Sequence, residues 1–243
     1  MHRTVKTTDE RQQHNGVKRS GSMNPQPDQN SAPTPAQTMA DPAPQQAVIV
    51  AVTGASGAAY ALRLMQRLAE NNVFQHILLS DAARVVLQQE VDLILPDSTA
   101  ASTEALAQHL DITATSMRCY SLNDWFSPTA SGSAGIRKMI IVPCSMGTLA
   151  RIACGASDNL IERAADVILK ERRKLLLVPR ETPLSSIHLE NMLKLSRLGA
   201  HIIPAMPGFY HKPQSLDDII NFLVDRMLDH LDISNPEAQR WGA

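Results

Sequence analysis

Residues Ala47-Val-Ile-Val-Ala-Val52 lead directly into Thr53-Gly-Ala-Ser-Gly57. A continuous apolar run of this length, rich in β-branched residues, predicts a strand that is buried on both faces. Similar runs follow along the chain, with helical stretches between them, at His76–Ser80, Met139–Val142, Lys174–Val178 and His201–Ile203. Strands that alternate with helices predict parallel βαβ units, and therefore a doubly wound α/β fold with helices on both faces of the sheet.

The segment before this strand has a different composition. Residues 1–46 contain no Ile, Leu, Phe, Trp or Tyr, and they hold six of the fifteen prolines. Such a segment cannot bury enough apolar surface to offset the entropy of ordering it, so we expect a disordered, non-catalytic extension. This segment lacks the apolar h-region of a secretory signal peptide. The rest of the sequence predicts one α/β domain over residues 47–233 and a short C-terminal tail over residues 234–243.

Charge and composition exclude several classes of protein. The chain has 23 basic and 24 acidic residues, a net charge of -1, so it has no overall basic field for nucleic acid or an anionic membrane. No apolar run approaches the ~18 residues that cross a bilayer. The three cysteines form no C-x-x-C pair, which favours free thiols in a reducing compartment and a cytoplasmic protein.

The ends of the predicted strands are the candidate binding positions, because open parallel sheets bind ligands at their carboxyl edge. The first strand leads into the small residues Thr53 to Gly57, and the Met139–Val142 strand leads into Pro143-Cys-Ser-Met-Gly-Thr148. Both turns allow a phosphate group to approach a helix start, although tight packing and simple capping by Ser145 would also explain them. Ser80 ends another strand, where the Asp81 that follows it is an ambiguous signal for a ribose.

Four cations and one phenol are candidates for an anion site. Arg163 and Lys170 share one face of a predicted helix, Arg180 follows the Lys174–Val178 strand, and Arg226 flanks the apolar stripe of the last helix. Tyr210 lies in a loop stiffened by proline and glycine. A solvated helix face, an ion pair or a snorkelling arginine would explain each cation singly. Because neither an aspartate motif for magnesium diphosphate nor a His/Cys cluster is present, we expect a metal-free site.

The region from Asp97 to Arg137 is the least regular part of the domain. It contains a predicted helix around Thr103 to His109 and then a long loop that includes Trp125-Phe126. Long loops in compact domains are usually functional or form contacts. The aromatic pair suits either a lid or a subunit contact, and we favour the contact.

Six motifs in chain order carry a family resemblance. They are Thr53-Gly-Ala-Ser-Gly57, Pro143-Cys-Ser-Met-Gly-Thr-Leu149, Asp158-Asn-Leu-Ile-Glu-Arg-Ala-Ala-Asp166, Pro179-Arg-Glu-Thr-Pro-Leu184, His188-Leu-Glu-Asn-Met192 and Pro207-Gly-Phe-Tyr-His211. Together they resemble the UbiX-type flavin prenyltransferases, from about Val48 to Trp241. Six linked motifs are far more specific than a single glycine-rich turn.

The resemblance implies a flavodoxin-like (Rossmann-like) fold and a metal-independent enzyme. Members of this family transfer a dimethylallyl group from dimethylallyl phosphate to N5 and C6 of reduced FMN. The product, prenylated FMN, serves UbiD-type decarboxylases in ubiquinone synthesis or aromatic acid metabolism. The family is typically homododecameric, with sites at subunit interfaces.

The resemblance also implies roles for individual residues. FMN contacts fall on Gly54, Ala55, Ser56, Ser80, Ser145, Met146, Gly147, Thr148 and Arg180. Contacts to the donor fall on Arg163, Lys170, Tyr210, Arg226 and Trp241. Catalytic roles fall on Ser56, Glu90, Lys170 and Glu181. Trp241 matches a tail residue that closes over the site in relatives.

Three other functions are weighed against this one. Flavin-dependent cysteine decarboxylases carry P-A-S-A-N-T where this chain has Pro143 to Thr148, so they rank well behind. Short-chain dehydrogenases need Tyr-x-x-x-Lys, and no tyrosine of this chain is followed by lysine at that spacing. A carrier or assembly protein that merely holds FMN stays open, because the sequence cannot prove that the cations converge.

Overall fold

The computed structural model describes residues 47–236 and residue 238. Its strands are β1 Ala47–Val52, β2 Phe74–Leu79, β3 Met117–Tyr120, β4 Lys138–Cys144, β5 Lys174–Pro179 and β6 His201–Ile202. Its helices are α1 Ala58–Glu70, α2 Asp81–Val91, α3 Thr99–Leu110, α4 Met146–Cys154, α5 Leu160–Lys170, α6 Ser186–Arg197 and α7 Leu216–His230. Short 3₁₀ turns occur at Ala114–Ser116, Pro128–Ala130 and Gly132–Ala134.

The six strands form one parallel sheet in the order β3-β2-β1-β4-β5-β6. Val50 of β1 lies opposite Ile77 of β2 on one side and Ile140 of β4 on the other. This arrangement confirms the flavodoxin-like, doubly wound fold, with the strand order typical of Rossmann-like sheets. Because the chain leaves β1 in one direction and β4 in the other, a crevice opens between their carboxyl ends.

Helices cover both faces of the sheet and create two apolar layers. Alternate residues of β1 point to opposite faces: Val48, Val50 and Val52 pack with α1, α2, α3 and α7, whereas Ile49 and Ala51 pack with α4, α5 and α6. Every residue of β1 is buried, because both of its faces and both of its edges are covered. The sheet therefore separates α7 from α5.

The predicted strands and helices are confirmed with small changes at their ends, whereas α2 and β3 are absent from the prediction. This edge strand is only four residues long, and it contains the exposed Arg118. Pairing with β2 extends the segment and compensates for its weak apolar pattern. The predicted extension at residues 1–46 lies outside the described residues, so its disorder stays a prediction. Among the described residues, no helix has both the length and the apolar character to cross a membrane.

Candidate active site

Thr53 joins the two loops that border the crevice. Its Oγ1 donates a hydrogen bond to the carbonyl of Pro143 at 2.8 Å and accepts one from the backbone N–H of Ser145 at 2.8 Å. The backbone N–H of Thr53 donates to the same carbonyl at 3.2 Å. The side chain is only 1% exposed. In the sequence, Thr53 is only the first residue of a small-residue turn, and its role as a link between loops appears only in the structure.

Glu90, from the last turn of α2, caps the start of α1. Its carboxylate accepts hydrogen bonds from the backbone N–H groups of Gly57 at 2.9 Å and Ala58 at 2.8 Å. Burial alone would raise the pKa of Glu90, but hydrogen bonds from Ser56, Gly57 and Ala58 and the nearby charge of Arg180 hold that pKa below its ordinary value. The carboxylate is therefore ionised at neutral pH. It also occupies the N–H groups of Gly57 and Ala58 at the start of α1, so a ligand at this turn meets residues 53–56 instead.

The turn between β1 and α1 packs closely on the start of α2. A Cβ atom added to Gly54 would lie 2.4 Å from the Cβ of Ala82, well inside van der Waals contact. Gly57 has a φ of +121°, a backbone conformation that L-residues with side chains rarely adopt. Glycine is therefore required at both positions, and the backbone stays open to the crevice.

Two more helices begin at the same edge of the sheet, each with a serine cap. Ser80 Oγ accepts from the N–H of Ala83 at 3.0 Å, and Ser145 Oγ accepts from the N–H of Thr148 at 3.3 Å. The capping role considered for Ser145 is thus confirmed. Both helix starts carry partial positive charge next to the crevice, which suits a phosphate-bearing ligand. The predicted turn Ser145 to Thr148 lies there as well, with Met146 and Thr148 buried.

Arg180 follows β5 at the same edge and carries a buried donor without a partner. Its Nε–H is shielded from solvent, and it donates to no hydrogen-bond acceptor among the described residues. A buried unsatisfied donor costs about 1–3 kcal/mol, so this guanidinium is suited to an anion bound in the crevice. Arg180 therefore suits a phosphate-bearing ligand, and the assignment of residues 54–56 and Arg180 to FMN stays a prediction. The neighbouring Glu181 is exposed, and its carboxylate accepts from the N–H of Thr182 at 3.0 Å.

Tyr210 and Arg226 line a separate cavity of about 790 Å³ on the outer side of α7. The ring of Tyr210 stands edge-on to Phe222, with centroids 5.6 Å apart. Arg226 pairs with Asp229 at 3.1 Å. These two predicted donor-binding residues are thus brought together by the loop after β6 and by α7.

Arg163 and Lys170 lie on α5, across the sheet from α7. Arg163 donates from Nε to the carbonyl of Ala130 at 3.0 Å and pairs with Asp166, and Lys170 pairs with Glu171 at 3.1 Å. One copy of the chain therefore does not gather the four cations into a single cluster, because the sheet stands between the two helices. The assignment of Arg163, Lys170 and Arg226 to the prenyl donor stays a prediction. The same holds for Trp241, which lies outside the described residues.

A buried carboxylate that the sequence analysis did not select stabilises the turn between α4 and α5. Glu162 is 1% exposed; it pairs with Arg151 and accepts from the N–H of Asp158 at 2.9 Å and from Asn159 at 2.8 Å. Burial would raise the pKa of Glu162, but the bonds from Arg151, Asp158 and Asn159 lower it. The spacing of Asn159 and Glu162, a helix cap followed three residues later by Glu, is the signal that could have found it.

No group of three or more His, Cys, Asp or Glu side chains in the described part of the chain could hold a metal ion. The metal-independent reaction stays a prediction. A doubly wound sheet binds nucleotide-like cofactors where β1 and β4 part, and the sequence model of the family described as Flavoprotein matches residues 37–228. This match, which covers most of the chain, places it among the flavoproteins.

Comparison with known proteins gives the particular family. The chain is 52% identical over 195 residues to flavin prenyltransferase UbiX of Pseudomonas aeruginosa. The aligned residues make up 80% of this chain and 93% of that protein. The crystal structure of AnUbiX (PadA1) in complex with FMN and dimethylallyl pyrophosphate has a TM-score of 0.72 and 42% identity, covering 81% of this chain and 97% of that one. A dodecameric FMN-dependent UbiX-like decarboxylase from Escherichia coli O157:H7 has a TM-score of 0.67 and 42% identity, covering 81% and 100%. The chain belongs to the flavin prenyltransferase family.

Proposed function

We propose that this protein transfers a dimethylallyl group from dimethylallyl phosphate to N5 and C6 of reduced FMN, and so makes prenylated FMN. The observation that carries the proposal is the unpartnered buried Nε of Arg180 beside the ionised Glu90, at the crevice between β1 and β4. Further support comes from a relative of 42% identity whose structure holds FMN and a dimethylallyl donor together.

The crevice residues hold FMN in this proposal. The backbone of residues 54–56 and the turn from Ser145 to Thr148 contact the flavin, with Ser80 and Arg180 beside them. Reduced FMN, when bound, supplies the nucleophilic N5 and C6 atoms. The protein contributes fixed donors, since Thr53 joins the two loops before any ligand binds and so little ordering is left to do.

Cations on α5 and α7 bind the phosphate of the donor in this proposal. An allylic monophosphate leaves readily only when positive charge stabilises the phosphate, and Lys170, Arg226 and Arg163 supply that charge. Tyr210 donates a hydrogen bond to the same group. Glu181, exposed at the end of β5, takes up the proton released in ring closure, and the ionised Glu90 orients Ser56 at the flavin edge.

Different copies of the chain contribute these cations. Support comes from the positions of α5 and α7 on opposite faces of the sheet and from the dodecameric relative. In a heterologous assembly, one surface of each copy meets a different surface of the next. Lys170 of one copy and Arg226 of another thereby reach the same donor beside the flavin.

The test is complementation between two inactive variants. Lys170→Ala and Arg226→Ala each abolish prenylation while FMN stays bound. A mixture refolded or co-expressed at equal amounts regains about a quarter of wild-type activity, because about one site in four then receives both wild-type cations. A mixture that stays inactive refutes shared sites, and a double-digit percentage of activity in either single variant refutes the role of that cation.

The donor and the consumer of the product belong to the same proposal. Parallel assays with dimethylallyl phosphate and dimethylallyl pyrophosphate decide between donors, and we expect turnover with the monophosphate. The product is expected to activate a purified UbiD-type decarboxylase that lacks its cofactor.

We also propose a cytoplasmic location, in line with three free thiols at Cys119, Cys144 and Cys154. Recovery of the protein in a membrane or secreted fraction would refute this location.

A further inference from the structure

His211, next to Tyr210, has no role in the mechanism described so far. Both of its ring nitrogens are shielded from solvent, and neither has a hydrogen-bond partner among the described residues. A neutral imidazole always carries one N–H donor and one acceptor nitrogen. Leaving such groups buried and unpaired costs about 1–3 kcal/mol each. The ring is therefore held in a position that only a ligand or a further chain segment would satisfy.

Aromatic packing fixes the orientation of this ring. His211 stacks face to face on Phe222, with centroids 4.9 Å apart and planes 4° apart. Tyr210 stands edge-on to both rings, with centroids 6.0 Å from His211 and 5.6 Å from Phe222. Phe222 lies one turn before Arg226 on α7. Van der Waals contacts thus orient the imidazole without a hydrogen bond, which leaves its donor free for a ligand.

The described lining of the cavity has three basic side chains, Arg67, Lys212 and Arg226, and three acidic ones, Asp218, Asp225 and Asp229. The hydrogen-bond donors of the cavity, and not its net charge, therefore favour an anion as that ligand. His211, Tyr210 and Arg226 all line the same space of about 790 Å³. The acidic groups of the cavity already have partners: Asp218 accepts from the N–H groups of Gln214 and Ser215, Asp225 accepts from Asn235, and Asp229 pairs with Arg226. A guanidinium has five N–H donors, so Arg226 can hold Asp229 and an anion together.

We propose that His211 donates a hydrogen bond to the phosphate of the allylic donor, beside Arg226 and Tyr210. The inference rests on the proposed function, because it takes the cavity on α7 as part of the donor site. His211 thereby joins the residues that bind the phosphate, through a ring N–H donor. The stack on Phe222 keeps that donor in place before the ligand arrives.

Calorimetry with the protein carrying oxidised FMN tests the proposal, since transfer needs reduced FMN and binding is then measured without turnover. Titration with dimethylallyl phosphate gives a Kd at least tenfold higher for His211→Phe than for wild type. His211→Asn, which keeps an N–H donor, recovers most of the affinity. His109→Phe, which alters an exposed histidine on α3, binds as wild type does. Affinity for FMN stays unchanged in all variants.

A second measurement needs no change to the packed ring. In wild-type protein labelled with ¹⁵N-histidine, dimethylallyl phosphate shifts the ring resonances of His211, which are assigned by their loss in His211→Asn. Wild-type affinity in a folded His211→Phe, or resonances that do not move at saturating donor, would overturn the proposal. A wild-type protein that neither binds the donor nor forms prenylated FMN refutes the proposed function itself.

Discussion

Replacement of Thr53 by valine tests whether one buried hydroxyl holds the two loops of the crevice together. Valine has nearly the same shape, so the packing is kept and only the hydrogen bonds are lost. The N–H of Ser145 then loses its 2.8 Å acceptor, whereas the carbonyl of Pro143 keeps the backbone N–H of residue 53 at 3.2 Å. One buried donor without a partner and one lost bond together cost about 2–3 kcal/mol.

This loss is large enough to measure in two ways. For a domain of this size each 1 kcal/mol lowers Tm by about 2–4 °C, so Thr53→Val melts roughly 5–10 °C below wild type. Fluorescence titration shows an FMN Kd about tenfold higher, equal to about 1.4 kcal/mol of binding energy. Thr53→Ser keeps the hydroxyl and loses one methyl group, at about 1 kcal/mol. A Thr53→Val protein with the Tm and the FMN affinity of Thr53→Ser would show that the hydroxyl does not hold the two loops together.

Three further changes test other parts of the site. Glu162→Gln lowers the free energy of unfolding at pH 7 by about 2 kcal/mol. Because the pKa of Glu162 is lowered in the folded protein, the carboxylate stabilises the fold above its unfolded pKa of about 4.3, and this stabilisation disappears as pH falls through the folded pKa. Urea unfolding curves of the variant and the wild type therefore approach each other below pH 4. Ser56→Ala slows prenylation at least about tenfold with little change in Tm, and equal losses of rate and stability would contradict this. Gly54→Ala costs about 1–3 kcal/mol because its Cβ would lie 2.4 Å from that of Ala82, whereas Gly147→Ala has its nearest neighbour at 3.6 Å and keeps wild-type stability in the same thermal melts.

The fold could be predicted because its central strands have a continuous apolar pattern. β1, β4 and β5 are buried on both faces and both edges, so each leaves an unbroken run in the sequence. β3 is an edge strand with one exposed side, and Met117-Arg-Cys-Tyr120 has no such run. Its extended conformation depends on pairing with β2, a contact between segments about forty residues apart that no local pattern encodes.

The candidate site could be predicted in part. Glycine and serine at strand ends mark the crevice, since turns and caps require these residue types locally. The link from Thr53 to Pro143 joins residues 90 positions apart, and the capping of α1 by Glu90 joins residues 32 positions apart. Neither has a signature in the sequence. The separation of Lys170 from Arg226 follows from which face of the sheet each helix covers, which depends on the handedness of the crossovers and not on spacing.

Mass spectrometry of the flavin shows whether the protein prenylates FMN. The purified protein is incubated without oxygen with reduced FMN and dimethylallyl phosphate, and the flavin is then released and weighed, with EDTA in a parallel sample to test the metal-independent reaction. We expect FMN heavier by one isoprenyl unit, in equal yield with and without EDTA. Tightly bound FMN whose mass is unchanged with both the monophosphate and the pyrophosphate donor would refute the prenyltransferase activity and favour a flavin carrier.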